Sequence, residues 1–497
     1  MKATSRTSWM RPTGQPWFGF AGACLIAAGV GSVLGFLVVG SLKMTLAAVG
    51  AFFVALGVLY PRLILYVLVI LIVCLSGTTY GVQPGQTGGL VVKVGSYRLA
   101  PVQLNLYEIL LYCLLAILVA RRALGTQPRE VPSWITIPCL VTAFVILVQF
   151  GRALLSGVPY SVALYPFNAE FILPAVVALW CSCELLGDSA KRLQLLDLLY
   201  VCATGRAVYA LVRFAFGSGD TANYYRAIGV KVALWESADH LLFAFLIAVA
   251  VAAWVTGRVA GRRLMFWSSG SVLMALTVLL SFRRTGWFGL LAALILVTVL
   301  LLRRNQRSLV LIPGLLAVAA AIAMWSFARF SSGGGIVTRL FPDVASQAGP
   351  TRQDEWALAW RAIVHNPVFG DLMARRAASL YAPWTTSIVH NAFLFAWMKL
   401  GLAGLLSLMV LAAVCVAYAI RGVRARGTEE HIAVGAVGIV PFTLLLAMFE
   451  IPLIEFRTMF ILALVGSLAV RVATDLDEPL EALERSGGSG LTSARIE

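Results

Sequence analysis

Charge is scarce in this chain. Of its 497 residues only 12% are Asp, Glu, Lys or Arg, while 60% are hydrophobic. An ordinary soluble domain carries about a quarter charged residues, and a soluble chain of this length would have about three domains to cover. The charge is too little for that. A mean hydropathy of +0.88 agrees, so the apolar surface is expected to face lipid in a polytopic membrane protein. Acidic residues are the scarcer sign, 23 against 39 Lys and Arg, for a net charge of +16. In a membrane protein a basic excess commonly comes from Lys and Arg retained on cytoplasmic connections, and no nucleic acid partner is expected. Polar loops also lack cysteine. Cys24, Cys74, Cys113, Cys139, Cys181, Cys183, Cys202 and Cys415 all lie in apolar stretches or at their ends, which predicts neither disulfides nor a zinc site. No internal repeat is visible, and that argues against the two-fold architecture of many transporters.

What the chain does have is about fourteen apolar runs able to cross ~30 Å of hydrocarbon, among them 17–40, 44–60, 62–76, 168–183, 308–327, 388–420 and 433–450. They give an all-α polytopic fold of about 14 transmembrane helices with one long outer-face helical loop. The first run, Trp17 to Gly40, follows Lys2, Arg6 and Arg11. It is longer than the ~7–15 residue core of a cleaved signal and reads as a retained span. The second and third runs are parted only by Pro61-Arg62. The run over 388–420 exceeds one span, so its start stands above the membrane or the helix tilts. With the N-terminus inside, Lys and Arg crowd the cytoplasmic connections: Arg121/Arg122/Arg129, Arg258/Arg262/Arg263, Arg303/Arg304/Arg307 and Arg421/Arg424/Arg426. The short outer connections hold far fewer, and both termini are placed in the cytoplasm.

Four regions follow from this layout. They are an N-terminal transmembrane bundle (1–327), an outer, periplasmic loop (328–387), C-terminal transmembrane helices (388–472) and a disordered cytoplasmic tail (473–497). The loop opens on Ser331-Ser332-Gly333-Gly334-Gly335. A helix start follows, with Thr351 as N-cap and Asp354 three residues on, in the manner of a capping box. Arg352, Trp356 and Trp360 then share one helix face. The helix should end near His365-Asn366-Pro367, because proline disfavours helix in the residue before it.

Three features meet on the outer face: Arg283-Arg284 between two apolar runs, Arg352 on the loop helix, and His390-Asn391 where the loop returns to the membrane. Singly, each has a plain explanation. Arginines snorkel to headgroups, Arg352 can pair with Glu355, and a lone histidine is usually a satisfied polar group. Jointly they suit other chemistry. An arginine fork binds phosphate oxygens bidentately and stays charged. Histidine is the side chain best poised to take a proton near neutral pH. A lipid-linked phosphate donor and a hydroxyl acceptor would use both.

At these residues the sequence resembles the superfamily of O-antigen ligases and O-antigen (exopolysaccharide) polymerases, bacterial membrane glycosyltransferases. The stretches that carry the resemblance are Ser281–Trp287 (SFRRTGW), Arg352–Gly370 (RQDEWALAWRAIVHNPVFG) and His390–Gly404 (HNAFLFAWMKLGLAG). The resemblance covers about the last 45% of the chain; the earlier part matches only as a hydropathy pattern. It implies that Arg284 and Arg352 contact pyrophosphate and that His390 is the essential histidine, with Arg283, Trp356 and Asn391 beside them in substrate binding. Where the family commonly has serine before the first arginine, this chain has Arg283, which leaves open which of the pair contacts phosphate. Asp371-Leu372 stand where a second glycine often follows Gly370.

The resemblance implies a glycosyltransferase of the bacterial inner membrane with its active site on the periplasmic side. A glycan would pass from polyprenyl (undecaprenyl) diphosphate to an acceptor hydroxyl on a lipid-linked repeat unit or a lipid A core. Inverting transfer without metal or cofactor is expected, since a diphosphate is already a good leaving group and no Asp-x-Asp occurs in the outer loops. A chain-length regulator and a flippase are the partners that such a role implies. The span count and the polar tail tip the reading toward polymerase. Alternatives are a flippase or exporter of lipid-linked oligosaccharide, or an O-linked protein glycosyltransferase. A transferase with carboxylates in its first outer loop is disfavoured by Gly40-Ser41-Leu42-Lys43. Charged residues near span ends, Glu170, Arg206, Arg213, Asp239, Lys399, Glu450, Glu455 and Arg457, either line a lipid or sugar channel or lie in the interface. Tyr224-Tyr225 and Trp384 read as an aromatic belt more than as sugar-stacking groups.

Overall fold

The computed structural model describes residues 57–75, 106–125, 131–158, 160, 173–219, 232–234, 236–281, 283–302, 352–370, 389–450, 453 and 455–475. These are helices and short turns, with no strand among the described residues. The chain divides into two compact units, Met1–Ile64 and Leu65–Glu497. Of the first, residues 57–64 are described and include the start of α1 (Pro61–Ile70), which runs on into a π-helical turn, Leu71–Leu75. The second unit holds α2 (Leu106–Ala123), α3 (Ser133–Leu155), α4 (Leu173–Leu185), α5 (Ser189–Ala215), α6 (Ser237–Thr256) and α7 (Gly261–Leu279). It continues with α8 (Arg284–Leu302), α9 (Arg352–His365), α10 (Ala392–Ala425), α11 (Glu430–Gly438), α12 (Val440–Phe449) and α13 (Phe456–Thr474).

Seven stretches among the described residues are long and apolar enough to cross a membrane: α3, α5, α6, α8, α10, α11 with α12, and α13. Shorter apolar helices fill two more of the predicted runs, Pro61–Cys74 and α4. The runs predicted over 17–40 and 308–327 lie outside the described residues, as does most of that over 44–60. Along α3, Trp134, Ile137, Val141, Phe144 and Val148 recur at helical spacing and are exposed, a stripe suited to lipid.

Helix α6 is the centre of the unit. It is apolar on every side and almost wholly buried, packed by α7, α8, α11 and α13, as expected of a helix without a polar face. Lipid offers no hydrophobic drive between helices, so close approach through small residues has to supply the attraction. Gly435 of α11 sits so near α6 that a Cβ there would be 2.4 Å from Val249. Two glycines of α8 do the same for the turn before it. Gly286 admits the His240 ring of α6, and Gly289 admits the Phe442 ring of α12, whose atoms lie 2.1–2.4 Å from where a Cβ would stand. These contacts press the start of α8 against α6 and α12.

The long run predicted over 388–420 becomes α10, and it is broken rather than simply tilted. Gly401 has φ 71° and ψ −176°, outside the helical region. The run predicted over 433–450 is likewise two helices, parted at Ile439 with Pro441 in the first turn of α12, where its missing N–H costs no hydrogen bond. Helix α9 ends at His365, just ahead of Asn366-Pro367 as its sequence predicts.

Candidate functional site

The turn between α7 and α8 is held by its own side chains. Ser281 Oγ donates to the Val278 carbonyl at 2.6 Å and accepts from the Arg283 N–H at 3.3 Å. Trp287 Nε1 donates back to the same Val278 carbonyl at 3.0 Å. Arg284 is the first residue of α8. Arg283 turns to Glu450, the residue that ends α12. Its Nη2 lies 2.7 Å from Oε2 and its Nε 3.1 Å from Oε1. Thr285 Oγ1 donates to Glu450 Oε1 at 2.6 Å, and Ser237 Oγ donates to Oε2.

Beneath this pair lies a second buried set. Arg206 of α5 grips Asp239 of α6 with both arms of its fork, Nε to Oδ1 at 2.6 Å and Nη2 to Oδ2 at 2.8 Å. Arg457 of α13 donates to Asp239 and Glu236, and to the Val73 carbonyl in the π-helical turn at 3.1 Å. Two arginines and two carboxylates thus tie α5, α6, α13 and the π turn together. Next to Asp239, His240 is buried, and both its ring nitrogens lack a partner among the described residues. Glu455, just ahead of α13, accepts from Thr458 Oγ1 at 2.6 Å. Partial burial and the neighbouring Glu450 charge push its carboxyl up to about 7.

The loop helix is docked on α10 by a joint. Trp360 of α9 meets Trp397 of α10 edge to face, with centroids 5.8 Å apart. Trp397 Nε1 donates to the Pro367 carbonyl at 2.8 Å, and the Leu402 N–H donates to the Pro367 and Val368 carbonyls at 3.1 Å. The Asn366–Gly370 loop therefore fills the break at Gly401, where a Cβ would stand 2.2 Å from the Val368 carbonyl oxygen. From α3, Arg152 donates to the Phe369 carbonyl at 2.9 Å and covers that ring at 4.8 Å, while Gln149 reaches the Leu400 carbonyl at 3.2 Å. Moving back from Pro367 to Trp360 along α9 and from Leu402 to Trp397 along α10 goes in one direction. Arg352, the first residue of α9, and His390, just before α10, accordingly lie toward the same end.

His390 is partly buried. Asn391 is the N-cap of α10, its Oδ1 accepting from the Leu394 N–H at 2.9 Å. That employs in folding the oxygen expected to meet substrate. Trp356 is partly buried, with an Nε1 that has no partner among the described residues. Between α4, α10, α12 and α13 runs an apolar cavity of about 320 Å³. Its walls include Ala392, two residues after His390, and Leu453, which stands between Glu450 and Glu455. Residues close in sequence to the histidine and to the Glu450 carboxylate thus line one cavity.

Residues 269–409 match the O-antigen ligase family. That stretch is similar to O-antigen ligases. The match starts within α7 and ends within α10, so it includes the arginine turn, α9 with its joint, and His390. No curated protein matches the chain. With its apolar helices, the chain is a multi-pass membrane protein, part of which is similar to O-antigen ligases.

The buried ionic sets, most of whose residues lie outside the matched stretch, went unranked in the sequence. Arg206, Asp239, Glu450 and Arg457 stood among many charges near span ends, and the structure buries them in ion pairs instead of leaving them in the interface. Arg213 donates to the Ser218 carbonyl at 3.1 Å. The available signal was a carboxylate at each of three helix ends facing basic residues. Glu170, Tyr224-Tyr225 and Trp384 lie outside the described residues.

Proposed function

We propose that the chain is a glycosyltransferase of the bacterial inner membrane that moves a glycan from polyprenyl diphosphate to an acceptor hydroxyl at the periplasmic face. The observation that carries this reading is the cavity, whose walls include Ala392, two residues after His390, and Leu453. Its walls also include α10 residues from Ala392 to Ala419, on both sides of the break at Gly401. A polyisoprenoid chain lying in the cavity would, on this reading, present its diphosphate to Arg284, Arg352 and His390.

In the transfer, His390 takes the proton of the acceptor hydroxyl as that oxygen attacks the anomeric carbon. The bond from that carbon to the diphosphate oxygen breaks on the opposite face, so the configuration inverts. Arg284 and Arg352 neutralise the charge that builds on the departing diphosphate. The leaving group needs no proton, and neither metal nor cofactor enters the step. About fourteen spans and an outer loop over 328–387 would place these residues in the periplasm, near the flippase and chain-length regulator expected as neighbours.

A gene deletion, with polyprenyl-linked and surface-linked glycans analysed separately, tests the reading. Single repeat units left on the carrier or the acceptor mean a polymerase, which the span count favours. Long polymer stranded on the carrier means a ligase. Glycans retained on the cytoplasmic face would overturn the enzyme in favour of a transporter.

A further inference from the structure

We infer that Glu450 is a positioning residue that takes Arg283 as its counter-ion, so that Arg284 is the arginine of the turn that meets the donor diphosphate. This rests on the proposed function and answers what the arginine pair leaves open. A carboxylate offers about four acceptor positions. Glu450 engages Arg283 Nε, Arg283 Nη2, Thr285 Oγ1 and Ser237 Oγ. One side chain at the end of α12 therefore fixes the turn, the first residues of α8 and the start of α6.

The fork of Arg283 is committed. The edge it presents to Glu450, Nε with one Nη, is an edge that would bind phosphate oxygens. The side chains of the pair are only 16% and 12% exposed. Removing one partner strands a buried charge, so exchanging Glu450 for a phosphate group is disfavoured. Burial alone would raise the Glu450 carboxyl, yet the Arg283 charge and the three donors hold it below the usual carboxylate range. It stays ionised, and Arg283 stays its partner.

Lysine separates the two roles, because it keeps the charge and loses the fork. In a transfer assay on the full chain, with undecaprenyl-diphosphate-linked glycan as the titrated donor, Arg283→Lys should lower kcat while its donor KM stays within about threefold of wild type. Arg284→Lys should raise the donor KM by about tenfold or more. Glu450→Gln should lower kcat/KM about tenfold, and adding Arg283→Met should cost little more, since the two residues act as one unit. The inference is overturned if Arg283→Lys raises the donor KM as much as Arg284→Lys, or if the Glu450 and Arg283 losses multiply. Should the wild type transfer nothing from this donor, the function falls. The pair is then judged by thermal unfolding of the same variants in detergent, where additive melting shifts would overturn the positioning role.

Discussion

Two ends of the helix bundle use the same chemistry for different ends. At one, Arg192 of α5 is buried and donates to Glu429 at 2.8 Å and to the Leu186 carbonyl at 3.0 Å, with Asp475 as a second counter-ion. Ser189 also donates to Glu429 at 2.9 Å. The set ties the α4–α5 turn, the α10–α11 turn and the end of α13, and none of its residues lines the apolar cavity or belongs to a motif of the family. At the other end, Arg206, Arg457, Glu236 and Asp239 form an equally closed set, but Arg283 and Glu450 stand above it, and Leu453, close to Glu450 in sequence, lines the cavity. Buried arginine–carboxylate pairing is thus no sign of function by itself. What distinguishes the second end is that a pair holds a turn, and the turn carries another arginine.

The sharpest way to break this comparison is to pair a variant from each end. His390→Ala or Arg352→Ala should lower transfer by 10²-fold or more, on the order expected for a lost proton acceptor or charge contact, with an unchanged melting temperature. Arg192→Ala should do the reverse. It leaves Glu429 and Asp475 uncompensated, at a cost of about 3–5 kcal/mol, while transfer per folded molecule persists. Glycan of wild-type length in either of the first two variants would sink the site assignment. A normal melting curve for Arg192→Ala would sink the structural role of the other end.

A smaller effect is expected at the joint between α9 and α10. Gly401→Ala must place a Cβ 2.2 Å from the Val368 carbonyl oxygen at φ 71°, strain on the order of 1–3 kcal/mol. Since Arg352 and His390 lie beyond this joint on separate helices, transfer should fall further than stability does. Arg152→Ala should move both in the same direction by less, about 1 kcal/mol for a surface-side hydrogen bond and ring contact. Equal activity per folded molecule in both variants would show that the joint does not align the two helices.

The smallest effect is a pH dependence. Glu455 is raised from 4.5 to about 7, so between those values the folded state keeps a proton that the unfolded state has lost. Stability therefore falls as pH rises through that window. Glu455→Gln removes the loss, and its melting temperature should exceed that of wild type by more at pH 8 than at pH 5. For a partly exposed group the difference is about 1 kcal/mol. A gap that does not change with pH would remove Glu455 from the account.

Much of this was legible in the residues. The end of α9 at His365 was foretold by Asn366-Pro367, because a proline's effect on its neighbour is local. The blocks around Arg284, Arg352 and His390 stood out through residue type and spacing, and the domain match covers all three. The ion pairs did not stand out. Arg283 and Glu450 are 167 residues apart, Arg206 and Asp239 are 33, and Arg152 reaches Phe369 across 217. No periodicity links such positions. The break at Gly401 was equally hidden, since glycine is common within apolar helices and this one turns on a loop arriving from α9.

By itself, then, the sequence determined the membrane class, the apolar helices that the structure shares with it and the candidate residues for meeting phosphate or accepting a proton. Those properties rest on hydropathy and on hydrogen bonds between near neighbours along the chain. The tertiary structure decided which charges neutralise one another, that Arg283 belongs to Glu450, and that Ala392, two residues after His390, lines an apolar cavity. Those depend on which helices touch, and helices in lipid touch where glycines such as Gly286, Gly289 and Gly435 let a neighbour in.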